Sequence, residues 1–143
     1  MGNITGPAKT QVNIIPNLHY RNCDRAIDFL TRAFGFEQRE IYRDAKGKVV
    51  HAQLTFGNGM IMISPVSDTD FQKYMNQPDE NGGRETQCSF VIVADPKAHY
   101  ERAKAEGAKI LMEPSEKDYG GTDYSCHDIE GHLWSFGSYD PWK

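Results

Sequence analysis

Gly35 and Gly107 stand 72 positions apart (107 − 35), and Gly59 and Gly131 are separated by the same 72 (131 − 59). A fixed offset repeated along a chain marks internal duplication and restricts the fold to one that can be built twice from the same elements. Ahead of Gly35, "RNCDRAIDFLTRAFGF" can be capped by Asn22 or Asp24, sets Ile27, Leu30 and Phe34 on one helical face, and stops at the glycine. Ahead of Gly107, "DPKAHYERAKAEGA" carries Pro96 in its first turn and puts Tyr100 and Ala103 on the matching face. The two helical faces coincide at a shift of 73, which predicts a one-residue insertion or deletion near the second helix.

Strands surround each helix. "QVNIIPNLHY" alternates before the first, and "FEQREIYR", "VVHAQLTF" and "MIMIS" follow it, separated by the turns "DAKGK" and "GNG". In the second half "CSFVIVA" precedes the helix, and "KILMEP", "TDYSCHD" and "HLWSFGSY" follow. The order βαβββ thus occurs twice, in module one at about 11–64 and module two at about 87–140. Between them, 65–86 is a linker rich in Asp, Gln, Asn, Gly and Pro, with one short helix around "DFQKYM". Residues 1–10 read as a flexible leader, and 11–143 as one domain.

Charge and composition narrow the function. A net charge of −4 without a basic stripe argues against nucleic acid and anionic membranes as partners. No apolar run approaches a membrane span or a signal core, so a cytoplasmic protein is expected. Cys23, Cys88 and Cys126 include no C-x-x-C pair, which fits reduced thiols rather than a disulfide framework or a zinc finger.

"YRNCDRAIDFLTRAFGFE", "VVHAQLTFGNGMIMIS", "VADPKAHYERAKAEGAKI" and above all "DYGGTDYSCHDIEGHLWSFGSYDPW" resemble the vicinal oxygen chelate superfamily of glyoxalase I, bleomycin-resistance proteins, extradiol dioxygenases and fosfomycin-resistance enzymes. The resemblance implies an α+β fold, two βαβββ modules whose mixed sheets curve into a cup, assembled as a homodimer. It also implies four metal-ligand positions, which fall on Ile15, Ile63, Cys88 and Ser135. None is His, Asp or Glu, so no metal and no other cofactor is expected.

With Ile15 pointing into the cup, alternation places Asn13, Asn17 and His19 there, and Val12, Ile14, Leu18 and Tyr20 on the helices. The same period separates His51, Gln53 and Thr55 from Ala52, Leu54 and Phe56, and the 72-residue offset maps the polar set onto Asp123, Ser125 and His127. Ile15, Ile63, Phe90 and Leu133 would form an apolar floor. Tyr119 and Tyr124, beside Gly120 and Gly121, are candidates for a ligand-facing loop. Trp134 and Phe136 read as core, and His99 and His132 as structural. The ligand-binding set expected is therefore His19, His51, Gln53, Tyr119, Tyr124, Ser125 and His127. Its polar groups over an apolar floor suit an organic ligand held by a few oriented hydrogen bonds, and the resemblance implies an aromatic or heterocyclic one, sequestered as bleomycin-resistance proteins do. The alternative is a lyase, isomerase or dioxygenase using a divalent ion in a displaced site.

Overall fold

Pro16 has no N–H to give a strand ladder, and the first strand begins immediately after it. In the computed structural model, which describes residues 6–143, β1 is Asn17–Tyr20, and the expected strand residues before it lie outside the sheet. Ile14 is exposed and Asn13 bonds back to the Ala8 carbonyl, so the predicted facing of 12–14 does not apply, while the Pro16 carbonyl still accepts from the Met62 N–H at 2.9 Å. Of the expected leader, residues 1–5 lie outside the described residues, and 6–10 form neither helix nor strand.

Module one continues with α1 (Cys23–Phe29), β2 (Glu37–Arg43), β3 (Val49–Phe56) and β4 (Gly59–Pro65). Module two consists of β5 (Ser89–Ile92), α2 (Pro96–Ala105), β6 (Lys109–Glu116), β7 (Thr122–His127) and β8 (Leu133–Gly137). Two open four-stranded sheets result, in the orders β1-β4-β3-β2 and β5-β8-β7-β6. In each the outer β1 or β5 runs parallel to its neighbour and the remaining pairs are antiparallel. This is the duplicated βαβββ architecture the offset predicts. The linker holds two 3-10 turns, Phe71–Tyr74 and Pro78–Asn81, where one short helix was expected.

The one-residue discrepancy between the helices lies in the first, not the second. From N-cap to terminal glycine the first helix runs from Asn22 to Gly35 and the second from Asp95 to Gly107, one residue less. The extra residue is taken up by a π-helical stretch, Leu30–Phe34, that continues α1. Both helices then stop at a glycine with positive φ, 86° at Gly35 and 107° at Gly107, where a side chain would be strained.

A second insertion sits in the β7–β8 turn. Buried Ala52 and Leu54 of β3 match Tyr124 and Cys126 at an offset of 72, whereas buried Ile61 and Ile63 of β4 match Trp134 and Phe136 at 73. Gly59 therefore lies in its strand and Gly131 in the loop before the last one, and their shared 72 is not a structural equivalence.

One apolar core spans both modules. Phe34, at the end of the π stretch, meets Trp134 at 5.5 Å and Phe136 at 4.7 Å between ring centroids, so the first helix also covers the second sheet. Truncating such a buried ring costs about 3–5 kcal/mol. His99 bridges the modules as well. Its Nε2 donates to the Phe34 carbonyl at 2.8 Å, which leaves Nδ1 to accept from the Tyr124 hydroxyl at 2.5 Å. Burial lowers the His99 pKa, consistent with that neutral tautomer.

Candidate functional site

The face of each sheet turned away from the helices carries the polar residues. In module one a row crosses the sheet from Asn17 through Met62 and Gln53 to Glu40. A second row contains His19 beside Ser64 and His51 beside Tyr42. Phe90, Ser135, Ser125 and Met112 form the corresponding row in module two, flanked by His127 opposite Leu133 and by Asp123 opposite Gly137. Register thus makes Gln53 the counterpart of Ser125, and Met62 the counterpart of Ser135.

The hydrogen bonds on these faces are few and local. Gln53 Nε2 lies 3.3 Å from His51 Nε2, and Ser125 Oγ lies 2.8 Å from Ser135 Oγ. Cys88 Sγ is 3.6 Å from Ser135 Oγ. His51, Gln53, Ser125, Ser135 and His127 are all half-buried, with surface left for a ligand. Among the described residues no hydrogen bond joins the module-one rows to the module-two row.

Most of the expected contact residues therefore stand on the polar faces: His51, Gln53, Ser125 and His127. Three need correction or comment. His19 faces the same way but is only 4% exposed, because the linker turn covers it: its Nδ1 donates to Gln72 Oε1 at 2.7 Å, and Phe71 packs on the ring. Tyr124 points to the opposite face, fully buried, with burial raising its pKa and its hydroxyl given to His99. The period that puts Ser125 in the cup puts its neighbour Tyr124 on the helices. Tyr119 is exposed on the loop before β7, donating its hydroxyl to Asp123 Oδ2 at 2.8 Å, a bond that raises the tyrosine pKa.

The floor also changes. Ile63 is fully buried under the helices, and the apolar residues on the polar faces include Met60, Met62, Phe90, Ile92, Met112 and Leu133. The extra residue in the β7–β8 turn shifts β4 against β8 by one position, which brings Met60 and Met62, not Ile63, to the polar face. Trp134 and Phe136 are core, as expected. His99 and His132 are held in hydrogen bonds to the protein, which agrees with their structural assignment.

A family model for the Glyoxalase/Bleomycin resistance protein/Dioxygenase superfamily matches residues 16–136. The chain belongs to this superfamily. Among solved structures, TioX from Micromonospora sp. ML1 is 33% identical, with 87% of this chain and 95% of that chain covered and a TM-score of 0.69. FosX from Listeria monocytogenes, a fosfomycin resistance protein solved as a mutant with manganese(II) and 1S,2S-dihydroxypropylphosphonic acid, is 16% identical over 89% of each chain, with a TM-score of 0.65. A mutant of glyoxalase I from Zea mays is 19% identical, covering 86% of this chain and 43% of that one, with a TM-score of 0.66. At such identities the last two share the fold alone. No curated protein matches.

Superfamily membership raises the question of a divalent metal, and the register corrects one of the four ligand positions: the counterpart of Ser135 is Met62, not Ile63. The set becomes Ile15, Met62, Cys88 and Ser135, an alkyl group, a thioether, a thiol and a hydroxyl. It contains neither carboxylate nor imidazole and does not fit a hard or borderline divalent ion. Among the described residues no group of three or more His, Cys, Asp or Glu is placed to hold a metal, and no helix is long and apolar enough to cross a membrane.

Proposed function

We propose that this superfamily member binds and sequesters an aromatic or heterocyclic small molecule without a metal, in cups formed when the module-one face of one chain meets the module-two face of a second copy. The supporting observation is the chemistry of the half-faces. Each offers half-buried hydrogen-bonding groups, His51 with Gln53 and Ser125 with Ser135, among apolar side chains that a single chain leaves open. Phe90 is 41% exposed and Met112 56% exposed. An organic ligand held by dispersion and oriented by a few neutral hydrogen bonds matches such a surface. Two open half-faces per chain also give a reason for a homodimer, in which a two-fold axis generates two identical cups.

The test is a thermal-shift screen of aromatic and heterocyclic compounds with EDTA present, followed by calorimetry on any hit and elemental analysis of protein purified without chelators. A saturable hit independent of EDTA, with sub-stoichiometric metal, is the expected result. About one manganese, iron, nickel or zinc per chain, with binding or turnover abolished by EDTA, would overturn it in favour of a divalent-metal lyase, isomerase or dioxygenase. The fold shared with the manganese-bound FosX structure makes that the specific competitor.

A further inference from the structure

Gly137 faces the same way as Ser135, and a Cβ there would lie 3.0 Å from both Cε1 and Cζ of Phe90 and 2.7 Å from Asp123 Cβ. The Phe90 ring therefore leans along the sheet into the notch the glycine leaves, toward Asp123, instead of standing upright. Although its edge is docked in the sheet, 41% of the residue remains exposed. Such a ring is pre-positioned, so stacking on it orders little further side-chain freedom.

The surroundings of the ring set its chemistry. Asp123, opposite Gly137, is reached by the Tyr119 hydroxyl at 2.8 Å and by Lys117 Nζ at 3.4 Å. Each contact engages one carboxylate oxygen, which leaves a further lone pair on each. Tyr119 meets Tyr139 edge-on at 5.0 Å between centroids, making an aromatic rim next to the carboxylate. A flat open ring, a carboxylate acceptor beside it and an aromatic rim together favour one ligand class.

We infer that Phe90, seated over Gly137, is a stacking platform for a planar heteroaromatic ring whose N–H or amino group hydrogen-bonds to Asp123. This deepens the proposed binding function and rests on it. An alanine at 137 would crowd Asp123 Cβ at 2.7 Å as well as the Phe90 ring at 3.0 Å, disturbing both halves of the platform.

The experiment uses three probes of similar size: 4-aminoquinoline, which is planar with N–H donors; naphthalene-2-carboxylate, planar but anionic; and decahydroquinoline, an amine without a flat ring. Amide NMR shifts report where each binds, and calorimetry how tightly. The full-length protein should bind 4-aminoquinoline most tightly, with shifts at Phe90, Asp123 and Ser135. Phe90→Leu should weaken it by about three- to tenfold, and Phe90→Tyr should restore most of that loss. Gly137→Ala should weaken it similarly; if that variant misfolds, the Phe90 pair still decides. Equal affinity for decahydroquinoline, or no effect of Phe90→Leu while the shifts stay on the cup residues, would overturn the platform and leave cup binding standing. Failure of all three probes to bind, or shifts away from both half-faces, would also overturn the platform; the wider screen then judges the binding function separately.

Discussion

His132 Nε2 donates to the main-chain carbonyl of His19 at 2.8 Å, joining the turn before the last strand to the end of the first. The other ring nitrogen, Nδ1, lies 2.7 Å from Glu85 Oε1. Both ring nitrogens face acceptors, so both bonds can be made at once only by the imidazolium. Around this clamp Tyr20 donates to Asp128 Oδ2 at 2.5 Å, Trp134 Nε1 donates to the same oxygen at 3.0 Å, and Gln77 Nε2 donates to the His19 carbonyl.

Stability should follow the titration of this clamp. Burial alone would lower the His132 pKa, but the Glu85 hydrogen bond, the Asp128 charge and the His19 carbonyl outweigh it and raise the value above the usual 6.5. For Glu85, burial opposes ionisation, and the His132 and Leu133 N–H bonds overcome it to hold the carboxyl below its usual range. A raised histidine contributes fully below its unfolded pKa and loses its contribution as pH rises through the folded one; the depressed carboxyl is lost as pH falls through its folded pKa. Urea midpoints should therefore be highest at about pH 5–6.5 and decline as the pH rises further and the clamp loses its proton. Glu85→Gln should flatten the alkaline decline and cost roughly 1–3 kcal/mol at pH 6. A midpoint that rises from pH 6 to 9 in the unaltered protein would refute the charged clamp.

Gln53→Ala and His127→Ala should each change unfolding free energy by less than about 0.5 kcal/mol, since both side chains are half-open and make little contact beyond Gln53 with His51. With a ligand in hand, each should weaken binding by about 0.5–1.5 kcal/mol per lost neutral hydrogen bond. Tyr124→Phe should do the reverse. It leaves His99 Nδ1 without a donor in the core, costing roughly 1–3 kcal/mol of stability with affinity unchanged. Denaturant titrations and calorimetry on the three variants check the assignment of faces.

Cups shared between chains predict complementation. A chain carrying His51→Ala and Gln53→Ala, and another carrying Ser125→Ala and Ser135→Ala, should each bind poorly. Unfolded together and refolded at equal amounts, they should regain about a quarter of the unaltered protein's sites, because half the dimers are mixed and each holds one intact cup. No recovery, or a light-scattering mass near the 16.2 kDa of one chain, would place each cup within a single chain.

The three cysteines should separate by reactivity. Burial pushes the Cys126 thiol up to about 12 and that of Cys23 to about 11, whereas Cys88 is exposed beside Ser135. Ellman's reagent should titrate one thiol per native chain quickly and the other two only after denaturation. Cys88→Ser should abolish the fast phase.

The sequence by itself determined the duplicated element order, both helix ends and the polar faces of the two central strands. These are local properties: Gly35 and Gly107 are needed wherever the backbone turns left-handed, and alternation sorts His51 and Gln53 from Ala52 and Leu54 whatever lies beyond the sheet. The same alternation that turns Ser125 to the polar face turns Tyr124 to the helices, whatever the freedom of the Gly120–Gly121 pair before it. What only the tertiary structure decided is whatever depends on pairing. The extra residue between β7 and β8 exchanges Ile63 for Met62, the linker turn covers His19, and Glu85, Asp128 and His132 converge on the end of β1 from up to 113 residues away. No short-range pattern encodes such a meeting, because the partners become neighbours only after both modules have folded and packed on one core.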